Sequence, residues 1–117
     1  MSTSQRVLGT MFYKGVDIPQ SYELSMQWLK KAAEQGDSNA MAKIGVLHLL
    51  GLGTEKNTNK GILWTWLGAR KGDAAAQYLV ASFLIEGVAG IVDSTEGLMW
   101  LKVSASNGSA DAKETLK

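Results

Sequence analysis

The chain has 117 residues, of which 45% are apolar and 20% are charged, a composition that excludes an intrinsically disordered chain. Twelve basic and 11 acidic side chains leave a formal net charge of +1, which excludes the strong basic field typical of nucleic-acid-binding or membrane-surface proteins. The absence of cysteine excludes disulfides, thiol nucleophiles and thiolate metal sites.

The N-terminal residues 1–10 contain no apolar segment long enough for a signal peptide. The longest apolar run, residues 44–53, is interrupted by His48 and is far shorter than the roughly 20 residues that span a bilayer. We therefore expect a cytoplasmic chain that does not contact a membrane.

The pattern of glycines and capping residues predicts a pair of helices at the start of the chain. The first helix is predicted over residues 4–14 and ends at Gly15, because glycine adopts the left-handed conformation that terminates helices without steric cost. Pro19 disfavours helix at the residue before it and indicates a loop. Ser21 is a typical N-cap, so a second helix is predicted over residues 22–35.

Two more pairs of helices are predicted in the same way. Asn57 or Thr58 caps the second helix of the middle pair, and Asp93 or Ser94 caps the second helix of the last pair. The predicted helices cover residues 38–50, a helix ending at 71, residues 74–86 and residues 95–107, with a polar capping helix within 109–117. Apolar residues recur at helical spacing and no stretch shows the alternation typical of strands, so the predicted fold class is all-α.

The sequence also repeats with a period of 36 residues. Trp28, Trp64 and Trp100 are spaced by this period, and smaller residues share the frame: Ala33, Ala69, Ala105, Gly36, Gly72 and Gly108. Glycines followed by a capping acid form short links that make consecutive helices antiparallel. We predict one domain over residues 1–117, a right-handed α-solenoid of three helix-turn-helix repeats, at about 4–38, 39–74 and 75–110, plus a C-terminal helix.

This frame resembles the Sel-one-like repeat family, which is related to the tetratricopeptide repeats. The residues that carry the resemblance are Trp28, Lys31-Ala32-Ala33 and Gly36 in the first copy, Ala40, Ile44-Gly45, His48, Gly51 and Gly53 in the second, and Ala76, Val80-Ala81, Leu84, Gly87, Asp93, Trp100, Ala105 and Gly108 in the third. The chain departs from the family pattern where a tyrosine is expected in the first helix of each repeat, since Phe12, His48 and Leu84 stand there. The resemblance implies an adaptor or scaffold that binds other proteins and is not an enzyme.

Residues of the first helices that lie off the core face are expected to line a concave surface. They are Val7, Thr10 and Lys14 in the first copy, Lys43, Val46 and Leu50 in the second, and Leu79, Ser82 and Glu86 in the third. An apolar centre between charged ends suits a peptide or helix of another protein better than a phosphate backbone. The alternative is that Leu50 and Leu79 only pack against neighbouring helices.

The histidine and the tryptophans have both structural and functional interpretations. We expect His48 to be a packing residue whose ring nitrogen finds an acceptor, because a catalytic base or a metal site would need partners that the sequence does not offer. Trp28, Trp64 and Trp100 are expected to pack between paired helices. Trp66 shares its frame with Lys30 and Lys102, so it is either an exposed anchor for a partner or partly buried against lysine side chains.

The predicted function is protein–protein interaction on the concave face, by a non-enzymatic adaptor without cofactor, metal, nucleic-acid or membrane partner. Its predicted binding residues are Lys14, Lys43, Val46, Leu50, Leu79, Ser82, Glu86 and Trp66. The alternative is a small immunity or inhibitor protein that neutralises one toxin or enzyme. A hydrolytic enzyme is a third option, for which the sequence offers no catalytic set. Val7 and Leu8 at the N-terminal edge suggest self-association through an exposed solenoid end.

Overall fold

The computed structural model describes residues 1–90 and 92–117. Within these ranges the chain forms α-helices, one short 3-10 turn and no strand, which confirms the all-α prediction. The helices are α1 (Ser2–Lys14), α2 (Tyr22–Glu34), α3 (Ser38–Leu50), α4 (Thr58–Arg70), α5 (Ala74–Glu86), α6 (Ser94–Ser106) and α7 (Ala110–Thr115), and the 3-10 turn covers Val88–Gly90.

Each helix from α2 onward begins at a side-chain cap. The capping oxygen accepts a hydrogen bond from the backbone N–H three residues further on, and the caps are Ser21, Asp37, Asn57, Asp73, Asp93 and Ser109. The first helices of the repeats end at glycines with φ of 70°, 69° and 80°: Gly15, Gly51 and Gly87. Local capping chemistry therefore sets the helix ends within about two residues of the predicted positions.

The helices pack as three antiparallel pairs, α1 with α2, α3 with α4 and α5 with α6, stacked into a solenoid of 41 × 27 × 23 Å. The largest core cluster joins the first two repeats through residues that are all buried: Met26, Leu29, Ala32, Ala33, Ala40, Met41, Ile44 and Leu47. Trp64 packs against this cluster. Trp100 packs against a second cluster, which joins the second and third repeats, and against a third cluster within the last repeat and α7. Trp28 is partly buried, with the Lys31 ammonium 4.4 Å from its ring centroid.

Two aspartates connect consecutive repeats as well as capping helices. Asp37, which caps α3 and so starts the second helix pair, accepts one hydrogen bond from the Ala40 N–H and a second, at 3.0 Å, from Arg6 Nε on α1 of the preceding pair. Asp73 likewise accepts one hydrogen bond from the Ala76 N–H of α5 and a second, at 3.3 Å, from Asn39 Nδ2 on α3. Each carboxylate therefore uses one oxygen within its repeat and the other between repeats.

Glycines bring the backbones of α3 and α4 close together. A Cβ atom at Gly45 would lie 2.9 Å from the Gly61 carbonyl oxygen and 3.1 Å from the Thr65 backbone nitrogen. A Cβ atom at Gly61 would lie 3.0 Å from the Gly45 carbonyl oxygen. The two glycines therefore bring the backbones of α3 and α4 into direct contact, which fixes how far apart the inner and outer helices of the middle repeat lie.

Candidate functional site

A groove on the inner side of the solenoid is the best candidate for a binding site. Its volume is about 190 Å³, and α1, α3, the start of α5 and the side chains between them form its walls. The lining residues are Thr10, Tyr13, Lys14, Asn39, Ala42, Lys43, Val46, Ala75 and Leu79, and we call this surface the concave groove.

The concave groove contains half of the residues predicted to bind a partner. Lys14, Lys43, Val46 and Leu79 come from three successive repeats and line it together. The remaining predicted residues do not line it: Leu50, Ser82, Glu86 and Trp66. Leu50 lies outside the groove and is 60% exposed. This exposure contradicts the alternative that Leu50 only packs against a neighbouring helix.

Four lining residues were not predicted from the sequence. Asn39 and Ala75 occupy the same position in successive repeats, one helical turn before Lys43 and Leu79, so extending the predicted face by i−4 would have found them. Ala42 lines the groove although its side chain is only 4% exposed. Tyr13 reaches the groove while its ring packs edge-on to Tyr22, a placement that repeat spacing does not predict.

Lys43 is half-buried and is the main charged residue of the groove. Burial lowers the pKa of Lys43, and the positive charges of Lys14 and Arg6 lower it further, whereas Asp73 and Asp37 act in the opposite direction. Among the described residues, no carboxylate lies within 4.0 Å of its ammonium group. The two nearby aspartates are already engaged as helix caps and inter-repeat bonds.

Trp66 lies on α4, apart from the concave groove. Its ring is partly buried and meets the Trp100 ring edge-on, with centroids 5.5 Å apart, and the Arg70 guanidinium lies 6.0 Å from its centroid. A shallow depression beside it is lined only by α4 residues: Asn59, Ile62, Leu63, Trp66, Leu67 and Arg70. Partial burial is therefore the better description of Trp66, but against another tryptophan and not against lysines.

His48 is a packing residue, as predicted, and is 5% exposed. The expectation that its ring nitrogen finds an acceptor is wrong for Nδ1, which is buried without a hydrogen-bond partner among the described residues. Burial lowers the pKa of His48, and the charges of Lys30 and Lys60 lower it further. The imidazole is therefore neutral near pH 7.

Two further findings bear on the kind of site. No group of three or more His, Asp or Glu side chains in the described part of the chain is placed to hold a metal ion. None of the described helices is long and apolar enough to cross a membrane.

Comparison with known proteins agrees with this architecture. The chain matches the family model described as Sel1 repeat three times, over residues 2–37, 38–73 and 74–109. A comparison with curated protein sequences finds no match.

Solved structures show the same fold. The Sel1 repeat protein from Oxalobacter formigenes is 35% identical with a TM-score of 0.88, over 96% of this chain and 46% of that one. The protective antigen c5321 of uropathogenic Escherichia coli, which displays an SLR fold, is 27% identical with a TM-score of 0.86, over 98% of this chain and 25% of that one.

A third structure, Helicobacter pylori cysteine rich protein B, is 19% identical with a TM-score of 0.76, over 97% of this chain and 88% of that one, and it shows the fold alone. The chain spans about half of the Oxalobacter protein and a quarter of the Escherichia coli antigen. With three family matches covering almost its whole length, the chain belongs to the Sel1 repeat family, whose members are generally protein-interaction modules on a non-catalytic repeat scaffold.

Proposed function

We propose that the chain is a non-enzymatic adaptor whose concave groove binds a segment of another protein. The observation that carries this proposal is the lining of the groove, where Val46, Leu79 and Ala75 lie beside Lys14 and Lys43. Apolar contacts within a concave surface supply binding free energy, and a small number of charged groups fix the orientation of the bound chain.

The burial and the lowered pKa of Lys43 support the presence of an acidic residue in the bound segment. Its charged form is disfavoured in the free protein, because burial and Lys14 lower its pKa and no partner carboxylate contacts it among the described residues. A carboxylate of the partner would stabilise the charged ammonium and form a charge-assisted hydrogen bond with it. The proposed ligand is therefore a segment in which an Asp or Glu lies beside one or two apolar residues.

Affinity capture with matched variants tests the use of the groove. The groove variant carries Val46→Glu and Leu79→Glu, and the control carries Leu63→Glu and Met99→Glu on the outer helices, where those residues are 59% and 61% exposed. Both variants lose two apolar side chains and gain two charges. A partner retained by the wild type and the control but lost by the groove variant supports the proposal. A partner lost only by the control would assign binding to the outer surface. The identity of the captured protein decides between an adaptor and an inhibitor.

A second measurement tests the acidic residue. Lys43→Gln removes the charge and keeps most of the side-chain volume, so we expect a captured segment to bind about tenfold more weakly. Charge removal at the exposed Lys102 is the control and should leave affinity within about twofold. An equal loss of affinity in the two variants would contradict a direct contact with Lys43 and would show that only the overall charge of the protein matters.

Self-association through the N-terminal edge stays a prediction. Val7, on α1, is 45% exposed there. Sedimentation equilibrium at high protein concentration measures the outcome directly. A strictly monomeric mass would contradict it.

A further inference from the structure

A polar depression lies at the loop between α3 and α4, on a different part of the molecule from the concave groove. Its volume is about 300 Å³. It is lined by His48, Thr54, Glu55, Lys56, Asn57 and Lys60, and we call it the loop depression.

The buried imidazole is the first sign that the loop depression binds a ligand. His48 is 5% exposed, its Nδ1 atom has no hydrogen-bond partner, and no described residue accepts a hydrogen bond from either ring nitrogen. Nδ1 is closed off inside the protein, whereas Nε2 is not among the buried atoms, so Nε2 is the ring nitrogen that a ligand in the depression can reach. In the neutral ring with Nδ1 unprotonated, Nε2–H is a donor available to a ligand.

The start of α4 supplies the second contribution. The Asn57 side chain caps the Lys60 N–H at 3.0 Å, whereas the N–H groups of Thr58 and Asn59 lie in the first turn and have no partner within the helix. Free N–H groups and the helix dipole favour an anion at this end. Lys56 and Lys60 line the loop depression, and the charge of Lys30 is close enough to lower the pKa of His48. Glu55 is the single carboxylate among the lining residues, so positive charge exceeds negative charge there.

The other two repeats show that the fold does not require this set of residues. The loop is held in every repeat by one backbone hydrogen bond: Ser21 N–H to Phe12 O at 3.0 Å, Asn57 N–H to His48 O at 2.9 Å, and Asp93 N–H to Leu84 O at 2.9 Å. The other two repeats carry different residues at these positions. In place of His48, Thr54, Lys56 and Lys60, the first repeat has Phe12, Ile18, Gln20 and Leu24. The third repeat has Leu84, Gly90, Val92 and Glu96. The combination of an imidazole with two lysines is confined to the middle repeat.

We propose that the loop depression binds a phosphate group, through Nε2–H of His48, the ammonium groups of Lys56 and Lys60, and the free N–H groups at the start of α4. A phosphate offers several strong acceptor oxygens and up to two negative charges, which matches converging donors of this number better than a single carboxylate does. The site is independent of the concave groove, so neither proposal depends on the other.

Nuclear magnetic resonance with inorganic phosphate tests the proposal, because the chain has a single histidine and its ring signals identify themselves. Bound phosphate is expected to shift the Thr58 and Asn59 amide signals saturably and to raise the pKa of His48, since a nearby negative charge favours the imidazolium. The groups that face His48 and also titrate or carry charge are Lys30 on α2, Glu55 and Lys56 in the loop, and Lys60 on α4.

Matched variants separate a site from a general charge effect. Lys56→Gln with Lys60→Gln should weaken phosphate binding at least about tenfold, whereas Lys102→Gln with Lys113→Gln, which removes the same charge from exposed positions elsewhere, should change it less than about twofold. His48→Phe installs the residue of the first repeat and should weaken binding while leaving the fold intact. Comparison of inorganic phosphate with O-phosphoserine shows whether the group is bound free or as a monoester.

Three outcomes would overturn the proposal. They are amide shifts that do not saturate with phosphate, an equal loss of binding in the control variant, and acetate binding as tightly as phosphate at equal ionic strength.

Discussion

The two helices of the middle repeat, α3 and α4, have the same length but stabilise the fold in opposite ways. α3 buries large apolar side chains, and Ile44 and Leu47 are fully buried. α4 exposes its leucines, with Leu63 59% and Leu67 37% exposed, and only its Trp64 packs against the largest core cluster. Its own buried residues are small: Gly61, Thr65, Gly68 and Ala69. The inner helix therefore fills the core, and the outer helix contributes by letting two backbones approach.

The comparison teaches that apolar content does not locate the core in a solenoid. Leu47 on α3 and Leu63 on α4 look equivalent in the sequence, but only Leu47 is removed from water, and Leu50 on α3 is as exposed as Leu63. Six substitutions, grouped in four predictions, test which residues of the inner and outer helices stabilise the fold, from the largest expected effect to the smallest.

Truncating a leucine on each helix should give the largest contrast. Leu47→Ala removes buried methyl groups and leaves a cavity, so we expect it to lower the free energy of unfolding by about 3 kcal/mol. Leu63→Ala should change it by less than about 0.5 kcal/mol, because that side chain is mostly exposed. Chemical denaturation of the two variants measures both values. Equal losses would contradict the division of roles between the helices.

Adding one methyl group at the glycine contact should give the next largest effect. Gly45→Ala places Cβ against the backbone of α4, which cannot move aside as a side chain can, so we expect a net loss of about 2 kcal/mol despite the higher helix propensity of alanine.

The matched control is Gly9→Ala in the first repeat. Its Cβ would meet the side chain of Leu29 first, with Cγ at 2.8 Å, and the nearest backbone atom, Leu29 N, lies further away, at 3.2 Å. Its loss, measured by the same denaturation, should be clearly smaller. A loss at Gly9 as large as at Gly45 would show that backbone contact is not the special feature of the middle repeat.

Replacing the groove lysine should stabilise the protein. Burial lowers the pKa of Lys43, so at pH 7 the charged form costs folding free energy. Because solvent screens the partly exposed ammonium, Lys43→Met should raise the free energy of unfolding by at most about 0.5 kcal/mol. The gain should shrink as the pH rises through the lowered pKa of the folded state, because the wild-type lysine then becomes neutral. Denaturation at pH 7 and above pH 9 provides the measurement, and a destabilised variant would contradict the assignment.

The smallest effect concerns the pH dependence due to His48. Its pKa is lowered in the folded state by burial first and by Lys30 and Lys60 next, so the unfolded chain takes up a proton that the folded chain resists. Stability is therefore lost as the pH falls below about 6.5, the ordinary value of histidine. His48→Phe should remove this part of the loss, so the stability difference between variant and wild type should grow in favour of the variant between pH 7.5 and pH 5. A difference independent of pH would contradict the lowered pKa.

The architecture was predictable because its determinants are local. Caps such as Ser21 and Asp73 and terminators such as Gly15 act within one turn, so their effect can be read from neighbouring residues. The 36-residue period then assigns the same environment to equivalent positions, which is why the repeats and their helix pairs follow from the sequence.

The candidate site was predictable only in part, because it depends on contacts between repeats. The groove prediction placed Lys14, Lys43, Val46 and Leu79 on one face but missed Asn39, whose amide is drawn to Asp73 of the next repeat. The edge-on contact between Trp66 and Trp100 also joins different repeats. Repeat frames describe what copies share, whereas these contacts depend on residues that the copies do not share.

The bonds between repeats give the solenoid a direction of fraying. Asp37 and Asp73 each connect to the preceding repeat through a second carboxylate oxygen, so loosening one repeat there also releases the start of the next. At the equivalent position before α7 stands Ser109, whose single hydroxyl oxygen caps the Ala112 N–H at 3.1 Å and has no second oxygen to offer. The six residues of α7 are held by the packing of the buried Ala112 against Ala81 and Leu101, without a second carboxylate bond to the preceding helix pair, so we expect α7 to fray more readily than α3 or α5.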